Sequence, residues 1–299
     1  MIFEQTIGAT VECGGVGLHS GAPARMRILP AAAGSGIVFH RVDLDGFCVE
    51  ATASNIAKVS YATSLMKKGV FISTTEHLLS AFIGAGIDNA IVELDNLEVP
   101  LLDGSALPFM EMLERAGVRR QRRKRVYLRI KQPVEVRDGQ KYIAVYPADS
   151  YQVRYTIDFP HPLIGLSSFQ IGLSNGSYRR EIAAARTFGF LRDERTLRNM
   201  GLIRGASPDN CVVLTDTDVA NPPLRFPDEF VRHKVLDLIG DLALLGHRVL
   251  GRVVAHFAGH AMHTALVQRL LRDRSCCEET TLEAATANEP VPVESSATL

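Results

Sequence analysis

The apolar and polar positions of the chain predict two similar sets of strands and helices. Residues 21–44 and residues 138–159 each have the alternation of two strands around a turn, with a Pro-Ala pair in the turn. An apolar helix, a strand and a second helix follow in both halves. These segments are EHLLSAFIGAGI, AIVEL and SALPFMEMLERAG in the first half, and RHKVLDLIGDLALLG, GRVVAHFA and HTALVQRLLRD in the second. We therefore predict an α+β fold of two similar domains that arose by internal duplication.

A basic run between the two halves predicts the domain boundary. The run consists of Arg119, Arg120, Arg122, Arg123, Lys124 and Arg125, interrupted by Gln121. Blocks of like charge repel and favour water, so residues 119–125 are predicted to be an exposed linker between domains at 1–118 and 126–275. Residues 161–223 have no counterpart in the first half and are predicted to be an insertion. Residues 276–299 lack an apolar period and are predicted to be a disordered tail.

Composition and charge indicate an ordinary globular protein and give no sign of a nucleic-acid-binding or membrane-spanning one. The 299 residues carry 33 basic and 33 acidic side chains, so net charge gives no indication of nucleic-acid binding. The cysteines are five and contain no C-x-x-C pair, which favours a reducing cytoplasm. The first residues lack the pattern of a signal peptide, and no apolar run approaches the roughly 20 residues of a membrane span. We expect a soluble, cytoplasmic monomer, with weak attraction of the basic run to anionic lipid headgroups as an alternative to a simple linker.

The predicted helix RHKVLDLIGDLALLG is mostly apolar but carries a stripe of polar side chains along one edge. At about 100° per residue, His233, Asp237 and Asp241 fall within roughly 80° of one another, and Lys234 lies beside them. Buried charges are costly unless they are paired or bound to metal. His233 and Asp237, at i and i+4, are spaced to reach one metal ion, although a hydrogen bond within the helix also explains the spacing. A catalytic zinc ion usually takes three protein ligands, so a third must come from elsewhere.

The first apolar helix offers that third ligand in STTEHLLSA. Ser73 and Glu76 also fit a helix capping box, which gives Glu76 a purely structural interpretation. If His77 binds a metal, Glu76 points about 100° away and is placed to hold a water molecule, as the glutamate of an HExxH motif does. A third segment, FAGHAMH, puts His260 just after a strand, a position typical of a site and also of an ordinary surface loop.

Seven segments, in order, resemble the motifs of the UDP-3-O-acyl-N-acetylglucosamine deacetylases, zinc amidases that catalyse the committed step of lipid A biosynthesis. They are GVGLHSG (15–21), TTEHLLSA (74–81), GIDNA (86–90), VPLLDGSALPF (99–109), ARTFGF (185–190), RHKVLDLIGDL (232–242) and GHA (259–261). The resemblance extends from about residue 5 to residue 270. It implies two similar α+β domains, each a sheet layered with helices, with the helix layers packed together and the active site at the domain junction.

The resemblance also implies roles for individual residues. The zinc ligands would be His77, His233 and Asp237. The catalytic residues would be Glu76 as general base, His260 as general acid, Asp241 as the carboxylate that orients and charges His260, and Thr187 as a hydroxyl beside the oxyanion. The substrate contacts would be Lys234 near the phosphates, Phe159 near the uracil, and Phe188, His19 and Asp103 lining the site.

The sequence departs from the family pattern at several places. Met262 and His263 stand where Leu-Asn is usual, Phe257 replaces a basic residue near the diphosphate, and Tyr61 replaces a methionine near the zinc. Residues 161–180 show little resemblance and are expected to help form the passage for the acyl chain. Two alternatives to the deacetylase follow: a metal amidohydrolase for another acylated sugar, and a catalytically silent protein that binds a UDP-glycolipid.

Overall fold

Two main β-sheets enclose a layer of helices in this computed structural model, which describes residues 2–57, 60–174 and 176–283. The first half contains strands β1 Phe3–Ile7, β2 Val11–Val16, β3 Pro23–Pro30, β4 Ile37–Arg41, β5 Phe47–Glu50, β6 Leu65–Lys67, β7 Val70–Ile72, β8 Ala90–Leu94 and β9 Val118–Lys124, and helices α1 Glu76–Ala85 and α2 Leu107–Ala116. Strands β2-β3-β8-β4-β5 form its main sheet in that order. The alternation of buried and exposed positions along β3 turns one face of this sheet toward the core.

The second half also combines a main β-sheet with helices. Its strands are β10 Val126–Ile130, β11 Val134–Asp138, β12 Lys141–Tyr146, β13 Tyr151–Phe159, β14 Gly165–Gly172, β15 Phe188–Phe190, β16 Val212–Leu214, β17 Arg248–His256 and β18 Cys277–Thr281, and its helices are α3 Ser177–Glu181, α4 Glu194–Asn199, α5 Glu229–Leu242 and α6 His260–Arg272. The main sheet has the order β11-β12-β17-β10-β18, and β13 pairs with both β17 and β14. The α+β class is thus confirmed, while the duplication and the division into domains stay predictions.

Helices α1 and α5 cross at very short distance in the middle of the molecule. A Cβ atom added to Gly240 of α5 would lie only 2.0 Å from the carbonyl oxygen of Glu76, so only glycine fits at this contact. Helix α2 packs on α1, and α6 packs on α5. The crossing places the first turn of α1 against the polar stripe of α5.

The basic run is largely exposed, as predicted, but it forms a strand and not an irregular linker, and its place as a domain boundary stays a prediction. Residues 118–124 form β9, whose backbone pairs antiparallel with β1, with Phe3 opposite Lys124. The long basic side chains extend into water while the backbone groups are satisfied by the ladder. Arg125 is buried and forms an ion pair with Asp88 at 2.7 Å.

The prediction of a disordered tail is wrong for its first residues. Residues 277–281 form β18, which pairs antiparallel with β10 and covers the edge of that sheet. The rest of the predicted tail, residues 284–299, lies outside the described residues. Among the helices that the structure describes, none is long and apolar enough to cross a membrane.

Candidate functional site

Three side chains from α1 and α5 converge on one buried point. Nε2 of His77 lies 3.6 Å from Oδ1 of Asp237, and Nε2 of His233 lies 3.4 Å from the same oxygen. Two ligand atoms bound to one tetrahedral zinc ion at 2.0–2.1 Å are about 3.3 Å apart. These separations therefore fit a shared metal ion better than direct hydrogen bonds. Oδ1 of Asp237 is also buried without a hydrogen-bond partner, which is costly unless a cation occupies the site.

His233 is held in the form that a metal ligand needs. Its Nδ1 lies 3.0 Å from the carbonyl oxygen of Ala185, so Nδ1–H donates there and Nε2 stays free. Burial lowers the pKa of His233 to about 4, which keeps the imidazole neutral at pH 7. Such a contact on the far nitrogen fixes the ring orientation.

Lys234 lies against the metal site. Its Nζ donates to Oδ2 of Asp237 at 2.6 Å. Burial disfavours the charged form of both side chains, but the attraction between the Lys234 ammonium and the Asp237 carboxylate outweighs that cost. The pKa of Lys234 is raised, and the pKa of Asp237 lies well below its usual value because His233 and Lys234 stabilise the carboxylate. The lysine predicted to contact phosphates is therefore hydrogen-bonded to a candidate metal ligand.

Glu76 faces the same site and does not cap its helix. Its Oε2 accepts a hydrogen bond from the Thr63 backbone N–H at 3.1 Å, and no side chain caps the N-terminus of α1. Ser73, the other half of the possible capping box, has its hydroxyl 3.1 Å from that of Ser64 instead. The structural interpretation of Glu76 is thus wrong. Burial raises the pKa of Glu76 above its usual value, which suits a general base.

His260 stands opposite Glu76 and is paired with Asp241. Its Nδ1 lies 2.7 Å from Oδ2 of Asp241, which has no exposed surface. Burial alone would lower the pKa of His260, but the adjacent carboxylate outweighs it and raises the pKa to about 9. The other ring nitrogen, Nε2, lies 4.0 Å from Oε1 of Glu76 and 3.8 Å from Oδ2 of Asp237. A charged donor therefore faces the same space as the candidate base and metal ligands.

An aromatic cluster borders the metal ligands on one side. Phe188 packs edge-on against Phe230 at 5.0 Å between centroids and lies 6.4 Å from the ring of His233. Phe159 packs edge-on against Phe188 at 5.7 Å. The two phenylalanines predicted to contact substrate are therefore neighbours at the edge of the site.

A mostly apolar cavity of about 380 Å³ opens beside this cluster. Thr187 and Phe188 line it together with His19, and the rest of its wall comes mainly from residues 189–213. Backbone hydrogen bonds from Thr187 N–H to the Gly104 oxygen and from Val212 N–H to the Thr187 oxygen hold Thr187 in place. None of the described residues among 161–180, the segment expected at an acyl passage, lines this cavity.

His19 and Asp103 occupy different surroundings. Nε2 of His19 is buried without a partner, and its backbone N–H donates to Glu98 at 2.9 Å. The carboxylate of Asp103 accepts from Arg225 at 2.8 Å and from Ser105. Asp103 is thus engaged in structural contacts, while His19 has a free nitrogen for a ligand.

Three residues of the site were not predicted from the sequence, and a fourth, His263, was noted only as a departure from the family pattern. Thr63 donates to Asp241, Glu98 holds the turn that carries His19, and His263 and Tyr155 form a buried pair behind Asp241. Only His263 had a usable signal, because it is three residues after His260 and shares its helix face. Asp241, His260 and His263 also lie close enough to hold a metal, but their 2.7 and 2.8 Å separations are hydrogen bonds.

Comparison with known proteins gives a single consistent result. The family model described as LpxC: UDP-3-O-acyl N-acetylglycosamine deacetylase matches residues 4–272. A relative from Solibacter usitatus (strain Ellin6076) is 53% identical over 95% of this chain and 96% of its own length. Relatives from Anaeromyxobacter sp. (strain Fw109-5) and Myxococcus xanthus (strain DK1622) are 49% and 46% identical, covering 91% and 92% of this chain and 90% and 88% of their own lengths. All three are named UDP-3-O-acyl-N-acetylglucosamine deacetylase.

Proposed function

The chain belongs to the UDP-3-O-acyl-N-acetylglucosamine deacetylase family, and on that premise we propose that His77, His233 and Asp237 bind the zinc ion at which it works. The chain is a deacetylase of lipid A biosynthesis, which hydrolyses the N-acetyl group of its UDP-acyl-sugar to acetate and a free amine. The observation that carries the proposal is the convergence of two imidazole nitrogens on the unpartnered Oδ1 of Asp237. Two imidazoles and a carboxylate also accept other divalent metals, and zinc is the one the family resemblance favours.

The residues around the metal ligands divide the reaction between them. Held by His77, His233 and Asp237, a zinc ion would supply Lewis acidity that lowers the pKa of a nearby water molecule toward about 7. Glu76 takes a proton from the water as its oxygen bonds to the acetamide carbon. The hydroxyl of Thr187 donates to the developing oxyanion, an interaction worth roughly 3 to 4 kcal/mol in other enzymes.

His260 completes the reaction as the acid. With a pKa of about 9, it is protonated at neutral pH, and its Nε2 faces Glu76 across the site. It gives its proton to the sugar nitrogen as the C–N bond breaks, so the nitrogen leaves as an amine. Asp241 holds the imidazolium in place through Nδ1.

The remaining contacts are assigned to the substrate. We place the acyl chain in the apolar cavity beside Thr187, because Phe188 and Phe190 line it. The uracil end would then meet Phe159, with Lys234 near the phosphates, while His19 and Asp103 line the site without an assigned contact. Substrate analogues with acyl chains of different length test this placement when wild-type protein is compared with Ala206→Leu, a change in the cavity wall. The variant should lose activity toward the longest acyl chains first.

Metal content and acetate release decide the central proposal. Wild-type protein should contain about one zinc ion and release acetate from the UDP-acyl-sugar, whereas His233→Ala should lose both. Acetate release only from another acylated sugar would favour a different amidohydrolase. Zinc and substrate binding without any turnover would favour a silent binding protein, although such a protein has no need of the Glu76 and His260 pair.

The proposal also covers the location of the enzyme in the cell, its oligomeric state and its contact with membranes. We place the enzyme in the cytoplasm as a monomer, and assign weak attraction for anionic lipid headgroups to the exposed basic side chains of β9, notably Arg119 and Arg122. Sedimentation with anionic vesicles tests the last point. Binding that is unchanged after both arginines are replaced by glutamine would remove β9 from any membrane role.

A further inference from the structure

His263 occupies the centre of the molecule, directly behind the catalytic pair. It has no exposed surface, and its Nδ1 lies 2.8 Å from Oδ2 of Asp241. The same oxygen is 2.7 Å from Nδ1 of His260. Two imidazoles therefore share one carboxylate oxygen.

We infer that His263 is a positioning residue for the deacetylation, which fixes the Asp241 carboxylate so that His260 presents Nε2 to the site. The inference rests on the proposed function, because it assigns a role within the same reaction. It concerns orientation, since His263 does not touch the candidate metal ligands or the space in front of His260.

The contacts of Asp241 explain why a further donor matters. Thr63 donates its hydroxyl to Oδ1 at 2.5 Å, while the two imidazoles share Oδ2. A carboxylate held by His260 alone would be free to turn about its Cβ–Cγ bond. With both oxygens engaged by separate elements, any such turn would leave a buried polar group without a partner, which is costly.

His263 is itself held at both ring nitrogens. Its Nε2 lies 3.0 Å from the hydroxyl of Tyr155, and the two rings meet edge to face at 5.8 Å. The Tyr155 hydroxyl is also 2.8 Å from the carbonyl oxygen of Ala258, in the segment leading to His260. A continuous chain of hydrogen bonds therefore runs from β13 through His263 and Asp241 to the acid. Burial lowers the pKa of His263, which favours a neutral ring. In that form Nδ1–H donates to Asp241, and Nε2 accepts the single hydroxyl hydrogen of Tyr155.

Two substitutions separate positioning from packing. His263→Leu fills the space without a donor, and His263→Asn retains an N–H donor. We expect His263→Leu to lower kcat at least tenfold with KM within twofold and metal content unchanged, and His263→Asn to stay within threefold of wild-type kcat. Leu270→Ala, a buried change further along α6, is the packing control and should lower the melting temperature while kcat per folded molecule stays constant.

A double-mutant cycle tests whether the effect passes through Asp241. In an Asp241→Asn background, His263→Leu should cost less than threefold in kcat, because the carboxylate it positions is gone. Equal losses in both backgrounds, or equal kcat for the Leu and Asn variants, would overturn the inference. Wild-type protein without acetate release would instead refute the proposed function.

The tautomer of His263 provides a readout that does not depend on turnover. Histidine-selective ¹⁵N NMR of the wild-type protein should show His263 protonated at Nδ1. A ring protonated only at Nε2 cannot donate to Asp241 and would also overturn the inference.

Discussion

The carboxylate of Glu76 is oriented by the backbone N–H of Thr63, which donates to its Oε2 at 3.1 Å. The contact joins α1 to the segment before β6 and leaves Oε1 facing His260. Because the donor is a main-chain group, the orientation does not depend on the side chain at residue 63. The proposed base is therefore oriented by the backbone of one half of the chain, and the proposed acid belongs to α6 in the other half.

The first prediction distinguishes a base from a helix cap. Glu76→Gln should lower kcat by about 10² to 10⁴, the usual contribution of general base catalysis, with zinc content unchanged. Ser73→Ala is the matched control for a capping box. It loses a buried hydrogen bond to Ser64, worth about 1 kcal/mol, and should keep kcat within twofold. Similar activity losses for both variants would mean that the start of α1, and not the carboxylate, had been disturbed.

The second prediction concerns the alkaline limb of the pH profile. The acid must be protonated, so activity should be full below the pKa of His260, about 9, and be lost as pH rises through it. Asp241→Asn removes the charge that raises this pKa, leaving burial, which lowers it. The alkaline limb of kcat/KM should therefore move to lower pH. A limb that does not move would show that another group titrates there.

The third prediction follows from the contact of Lys234 with Asp237. Lys234→Met removes the donor to Oδ2 and should weaken zinc affinity about 10- to 100-fold, the usual effect of losing a group that orients a metal ligand. Competition with a zinc-binding dye measures this. An unchanged zinc affinity with a raised KM would assign the lysine to the substrate phosphates alone. Lys131→Met, at an exposed ion pair on the second sheet, is the charge-matched control.

The fourth prediction tests the close crossing of α1 and α5. Gly240→Ala would place a Cβ atom 2.0 Å from the carbonyl oxygen of Glu76, and the two helices would have to separate. We expect a loss of at least 1–3 kcal/mol in the free energy of unfolding and weakened zinc binding. Gly172→Ala, at a position where nothing lies within 4 Å of the new Cβ, should leave both nearly unchanged. Urea denaturation and a zinc titration of the two variants decide the matter.

The fifth prediction concerns Glu98, whose buried carboxylate accepts from the backbone N–H groups of His19 and Ser20 and from the Thr74 hydroxyl. Glu98→Gln replaces one acceptor oxygen by a donor, so at least one buried N–H loses its partner, at a cost of about 1–3 kcal/mol. Because this turn carries His19, KM should rise as well. Glu93→Gln, in an ion pair with Arg27 at the surface, should change stability by less than about 1 kcal/mol. A Glu98→Gln protein with unaltered KM would show that His19 does not contact substrate.

Local geometry explains which parts of the site could be predicted. His233, Asp237 and Asp241 share one helix, and the fixed 100° step of a helix places them together whatever the rest of the chain does. Thr63 lies 178 residues from Asp241, in a segment with no periodic pattern. Their contact exists only because α1 and α5 cross, and no local signal encodes it. Glu98 and Tyr155 were missed for the same reason.

The basic run shows a different limit. The charge of the run predicts that its side chains lie in water, and they are exposed along β9. The secondary structure depends on the backbone, whose partner is β1, more than a hundred residues earlier. The family resemblance supplied the candidate metal ligands and the candidate acid–base pair. The role inferred for His263 depends on its three-dimensional neighbours, Asp241 and Tyr155.

The proposed metal ion has one ligand on α1 and two on α5, so its binding would connect the two helices. It would be a removable cross-link between the two halves of the chain, closing a long loop much as a disulfide does. Chelation should then lower the melting temperature in addition to abolishing turnover, by an amount set by occupancy: about 2.7 kcal/mol at one hundred times the Kd of the metal. In cells short of zinc, the apoprotein would be lost by unfolding as well as by inactivity.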